Sequence, residues 1–247
     1  MSAREGVSPD ELVNAACDHF LHAQILGDWI VDYIDLEESL AVGSIVQEEL
    51  AYAATLIELA GYDAAGRDDI IYQRPTGQWY PARLLTHKWH DWPMTVLRAL
   101  LLSTAAVERS SRLEAQGDPK LKSATQILLA EQQLHVTHWT RWIRLLGRQE
   151  GTRKELRDRA PEVVALSGDV FGDFPGGPSE PVRHALHMSW ISRAAPLLAE
   201  AGIEASQLAT KPASRTAVQP DTEGEEILRT VRSLRVGQDD GVRGLYR

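Results

Sequence analysis

Glu131, His135, His138 and Trp142 recur at steps of four, three and four residues in the stretch 118–147, a spacing that stacks side chains on one face of a helix. Ile127, Leu128 and Leu145 share that face, which predicts that it turns into a core. A carboxylate and two imidazoles on an apolar stripe are costly to bury unless they bind a ligand or one another. In an all-helical chain, the chemistry open to such a set is oxygen activation at a di-iron centre. Iron takes hard carboxylate oxygens together with imidazole nitrogens, and open coordination positions admit dioxygen.

Di-iron bundles draw one carboxylate from each of two helices and a Glu-x-x-His pair from each of the other two. The candidate ligands are Asp28, Glu48, Asp91 and Glu131, one per predicted helix, with His135 as a nitrogen donor. Glu48 shares a face with Ala41, Ile45, Tyr52 and Leu56 and is expected to point inward. The histidines do not fit. Ala51 stands three residues after Glu48, Leu134 stands three after Glu131, and His135 comes one step late. Gln132 lies three before His135, but an amide is a poor iron ligand. His87 and His90 precede Asp91 and could supply nitrogen from an unusual helix, while Arg98, two turns on, could neutralise Asp91 without a metal. The spacing therefore favours a buried ion-pair and hydrogen-bond network in place of an intact metal site. Neither a metal nor a catalytic residue is expected in this chain.

Four long helices must position these residues. Ser8-Pro9-Asp10-Glu11 predicts a capped start to the first, with Leu12, Ala16, Phe20, Ala23, Leu26 and Ile30 following at helical spacing. A second helix is expected over 36–60, stopping at Gly61, and a third over 81–116, with a kink at Pro93. Asp118-Pro119 should cap a fourth that ends at Gly147. The pattern degrades after that. A Gly- and Pro-rich loop spans 168–177, another helix runs from Ser179 to Gly202, 203–223 reads as mobile, and a short helix lies near 225–234. The expected fold is an all-α, ferritin-like four-helix bundle with extra C-terminal helices, the bundle domain over 1–202 and an extended segment over 203–247.

The chain has 247 residues, 43% hydrophobic and 25% charged, which suits a globular protein with a sizeable core. A net charge of −9 argues against general nucleic-acid binding. A lone cysteine, Cys17, leaves no internal disulfide and fits a reducing cytoplasm. The apolar run 96–107 is broken by Arg98 and too short to span a bilayer, so a cytoplasmic protein without membrane contact is expected.

Several motifs in order resemble one family. Asp28-Trp29, Leu36-Glu37-Glu38-Ser39-Leu40-Ala41 and Glu48 are similar to the opening helices of the structural subunit of ring-1,2-phenylacetyl-CoA epoxidase. Tyr72-Gln73-Arg74-Pro75-Thr76-Gly77-Gln78-Trp79 resembles its loop before the third helix; Asp91, Glu131 with His135, and Leu145-Leu146-Gly147 match later positions. The resemblance covers about residues 10–150. Ser39 stands where the family usually has Asp, His87, His90 and His138 are additional, and the tail after Gly202 is unlike the family.

The resemblance implies a bundle that pairs with a homologous catalytic oxygenase subunit. That partner would hold the di-iron centre and the acyl-CoA, with electrons from a reductase component, while this chain carries a degenerate site and supports it. Alone, such a chain would form a homodimer. Two other readings stay open: a di-iron oxygenase or oxidase with an atypical ligand such as His90, and a stand-alone helical protein binding a hydrophobic or thioester ligand. Trp89, Trp92, Trp139 and Trp142 are expected as core and interface anchors. The cations from Arg141 to Arg159 are interspersed with Glu150, Glu155 and Asp158 and read as a self-paired surface.

Overall fold

Ser8 caps the first helix as its sequence predicts: its Oγ accepts from Glu11 N at 3.0 Å. The computed structural model describes residues 6–31, 35–116 and 119–240. Among these there are eight α-helices and no strand. Helix α1 (Pro9–Val31) packs along α2 (Leu36–Leu59), which is capped by Asp35 and ends before Gly61 at φ +98°. A long connection containing α3 (Ala64–Asp68) leads to a second hairpin, α4 (Trp92–Glu114) with α5 (Pro119–Leu146). Two helical hairpins joined by one long crossover make a ferritin-like bundle. The expected stop at Gly117 and cap at Asp118 lie outside the described residues.

The third long helix begins later than expected. Asp91 caps α4 by accepting from Met94 N at 3.0 Å, and Pro93 sits in the first turn. Proline lacks an N–H, and a helix's first turn is where none is missed, so Pro93 starts the helix instead of kinking it. Residues 81–91 form an irregular lead-in, with Ala82, Leu84, Leu85 and Trp89 buried.

Past the bundle, α6 (Glu150–Leu166) and α7 (Glu180–Ala199) lie against α4. Helix α6 was not expected, yet Leu156, Ala160, Val163 and Val164 form its buried stripe. Trp190 fixes α7, its Nε1 donating to Thr104 Oγ1 at 3.0 Å. The cations of this region pair on the surface, Arg144 with Glu200, Lys154 with Asp158, and Arg159 with Asp91.

Residues 203–222, expected to be mobile, are instead tied down. Ala213 N donates to Gly168 O at 2.8 Å, Arg215 N to Asp173 O at 2.9 Å, and Val218 N to Trp79 O at 2.9 Å. Helix α8 (Glu223–Asp240) then crosses back over the connection before α4. Among the described residues, only α2 is long and apolar enough by composition to cross a membrane. In this fold it is a bundle helix with Glu49 facing the core.

Candidate functional site

Glu49 sits at the centre of the bundle, 1% exposed. From α1, His19 Nδ1 lies 2.6 Å and His22 Nδ1 3.7 Å from its Oε2. From α5, Gln132 Nε2 donates to its Oε1 at 2.7 Å, and His135 Nδ1 lies 3.1 Å from the same oxygen. The other ring nitrogen of His135 is 2.6 Å from Glu48 Oε2. One carboxylate thus collects three imidazoles and an amide.

The electrostatics follow from this gathering. Burial alone would raise the Glu49 carboxyl. The attraction of His19 and the hydrogen bonds from His135, His19 and His22 outweigh it and hold the group well below the usual carboxylate range. His135 is raised, burial being overcome by its bonds to Glu49 and Glu48. Burial lowers His22. Tyr52, one turn beyond Glu49, donates to Glu131, and burial with that bond pushes its phenol upward.

The registers explain the chemistry. Three residues after Glu49 stands Tyr52, and three before His135 stands Gln132. Helix α1 brings His19 and His22 to the layer, with Asp18 beside them on Arg215, and α4 brings Leu102, Ala105, Ala106 and Arg109. A di-iron layer needs Glu-x-x-His on two helices and a carboxylate on the other two. Here the pairs read Glu-x-x-Tyr and Gln-x-x-His, and the lone carboxylates are replaced by imidazole and by alkyl groups. The residues present do not fit that centre. Among the described residues no three His, Cys, Asp or Glu side chains are grouped to hold a metal ion. The cavity they line is about 20 Å³, room for roughly one water and no organic substrate.

Of the expected site residues, the structure brings Glu48, Glu131 and His135 to this layer. It does not bring Asp28 or Asp91. Asp28 is exposed near the C-terminal end of α1, and Asp91 is a helix cap paired with Arg159 at 2.9 Å. Glu48 and Glu131 flank the layer, half-buried, while the buried carboxylate is Glu49. The face of α5 that turns inward is Leu128, Gln132, His135, Trp139 and Ile143. Ile127 and Leu145, expected in the core, are exposed. His138 reaches Glu38 at 3.0 Å. Trp89, Trp92 and Trp139 are core residues, and Trp142 packs on Trp92 with ring centroids 5.2 Å apart.

Beside the layer, Asp18 is held by Arg215 through Nη1 at 3.1 Å and Nη2 at 2.8 Å, with Arg109 at 3.5 Å. Arg215 also donates to the carbonyls of Asp169, Val170 and Tyr80. Cys17 is buried, its thiol pushed up to about 12 by burial, and is a core residue without nucleophilic character.

The bundle and its crossover define an all-α, ferritin-like protein. The model of the phenylacetic acid catabolic protein family matches residues 9–217. The chain belongs to that family, which places it in phenylacetate catabolism. No curated protein matches the chain.

Proposed function

We propose that this chain is the non-catalytic, structural subunit of a multicomponent acyl-CoA ring oxygenase of the phenylacetyl-CoA epoxidase type, working in the cytoplasm. The observation that carries this is the central layer around Glu49. His19 and His22 of α1 and Gln132 and His135 of α5 converge on Glu49 of α2, and α4 brings Leu102, Ala105, Ala106 and Arg109, none of them a carboxylate or imidazole. A homologous catalytic subunit then supplies the di-iron centre and binds the acyl-CoA, and a reductase component feeds it electrons.

The surface supports a partner. Ile127, Leu134 and Leu145 lie seven and eleven residues apart on one stripe of α5. Ile127 is 61% and Leu134 67% exposed. On the neighbouring helix α2, Leu36 and Leu40 are exposed as well. Apolar side chains on adjacent helices are what a subunit that covers them would bury.

The test is iron content per chain after iron-replete expression without chelators, alone and with the partner. Iron far below one per chain, with co-purification of a homologous oxygenase subunit, is the expected result. About two irons per chain, the complement of a di-iron bundle, lost on Glu49→Ala, would make this chain the oxygenase itself.

A further inference from the structure

Helices α2 and α5 run antiparallel and side by side, with Glu38 bonded to His138 toward one end and Tyr52 to Glu131 further along. Their outward faces are free of charge over most of their length. On α2 the exposed residues between Glu37 and Glu58 are Leu40, Ser44, Gln47 and Ala51. On α5 no exposed residue between Lys122 and Arg141 is charged, and Ile127 and Leu134 project from that stretch. The acidic groups inside these spans are engaged elsewhere, Glu48 and Glu49 with His135 and Glu131 with Tyr52. One residue in four of this chain is charged, 25%, so two adjacent helices with neutral outer faces carry the composition of an interface centre.

The ends of the two faces differ in sign. Glu37 and Glu58 close the face of α2, while Lys120 with Lys122 and Arg141 close that of α5. All five are exposed, and none forms an ion pair among the described residues. Glu37 and Glu58 stand 21 positions apart, as do Lys120 and Arg141, which is nearly six turns or about 30 Å of helix. Because the helices are antiparallel, Glu37 shares one end of the bundle with Arg141, and Glu58 shares the other with Lys120 and Lys122.

We propose that this face is self-complementary and closes an isologous dimer with a second copy of the chain. A twofold axis parallel to the two helices and lying between them in the contact plane sets α2 of each copy on α5 of the other. That rotation leaves the two ends of the bundle in place. Glu37 then meets Arg141 of the second copy, Glu58 meets its Lys120 and Lys122, and Leu40, Ile127 and Leu134 are covered between them. The twofold that runs across the helices instead lays α2 on α2 and α5 on α5, acid against acid and base against base, so charge selects the first arrangement. Two helix widths of about 10 Å by about 30 Å cover roughly 600 Å² per copy and about 1,200 Å² in total, the size at which specific interfaces begin. The homologous partner proposed above uses the same face, so the two compete for it. Self-association is measured on this chain alone and is independent of its iron content.

The experiment is sedimentation equilibrium of the whole chain. A reversible two-chain species with a micromolar or tighter Kd is expected, as interfaces of standard size give. Leu134→Asp, at the centre of the face, should leave a folded monomer. Glu37→Lys turns attraction into repulsion at two symmetry-related contacts and should weaken the dimer about tenfold. Adding Arg141→Glu should restore it, and adding Lys122→Glu should not. A single-chain mass up to millimolar concentration would overturn the proposal, as would a species larger than two chains, a dimer indifferent to Leu134→Asp, or rescue of Glu37→Lys by Lys122→Glu. If Leu134→Asp fails to fold, the charge reversals decide alone.

Discussion

Gln132 and Glu49 stand 2.7 Å apart at the centre of the bundle, amide nitrogen to carboxylate oxygen. A carboxylate at position 132 would put two negative charges in contact and call for a cation between them. The amide donates instead and, with His19 and His135, closes the shell around the Glu49 carboxylate, while Gln132 Oε1 and His22 Nε2 keep no hydrogen-bond partner among the described residues.

Breaking that closure should be expensive. Glu49→Ala leaves three histidines and an amide around a void, and loss of one side of a buried ionic network costs about 3–5 kcal/mol. Glu49→Gln keeps the volume and should cost less. Urea midpoints of the two variants check this; equal stability of Glu49→Ala and the native chain would sink the idea that Glu49 organises the core.

The pH dependence has a definite sign. The depressed Glu49 carboxyl contributes stability that is full above 4.5 and is lost as pH falls through its folded value. The raised His135 contributes stability that is full below 6.5 and fades as pH rises through its folded value. The depressed His22 works the other way, contributing above 6.5 and not below its folded value. Urea stability should therefore fall on acidification below 4.5. In His135→Gln the decline above 6.5 should be absent, which a series of melts against pH would show.

Much of this architecture is written in apolar periodicity, and the limits of that signal are specific. The Ser8 cap, the Gly61 stop and the long stripes of α1, α2 and α5 follow from local rules. The site register does not. Helix α1 buries every residue from Glu11 to Ala23, so no amphipathic phase singles out His19 and His22. On α2 and α5 an acidic residue stands beside the buried polar one, Glu48 beside Glu49 and Glu131 beside Gln132, and a shift of one position selects the wrong partner. The signal that could have resolved it is the pair of i, i+3 spacings, His19 with His22 and Gln132 with His135. The hold on 203–222 comes from long-range pairs such as Asp18 with Arg215 that no local pattern reveals.

That long-range pair gives a third prediction. Asp18→Asn or Arg215→Met alone leaves a buried charge uncompensated and should cost about 3–5 kcal/mol, while the double variant should cost less than the sum. A double-mutant cycle by urea denaturation measures the coupling; additive losses would show that Arg215 acts through its carbonyl contacts alone.

Gly172 sets a tight passage for the same segment. A Cβ there would collide with the Ala213 carbonyl oxygen and press on the Arg215 side chain. Gly172→Ala should destabilise by about 1–3 kcal/mol or more and raise protease sensitivity over 203–222. Unchanged stability would mean that this stretch can shift away without loss.

The exposed stripe of α5 separates folding from assembly. Leu134→Asp changes a 67%-exposed side chain and should leave stability within about 0.5 kcal/mol. A central contact of this type carries about 2 kcal/mol or more of binding, so co-purification with the proposed catalytic partner should drop sharply. Full retention of the complex would place the interface elsewhere.

The pairing of Asp18 with Arg215 also imposes an order of events during synthesis. The two residues are 197 positions apart, and at bacterial or eukaryotic elongation speeds about 10–40 s separate their appearance from the ribosome. Through that interval Arg109, 3.5 Å from Asp18, is the one of the two cations already made, and the two-pronged clamp waits for Arg215. The Asp18 clamp therefore closes only when Arg215 arrives, after both helical hairpins of the bundle have been made.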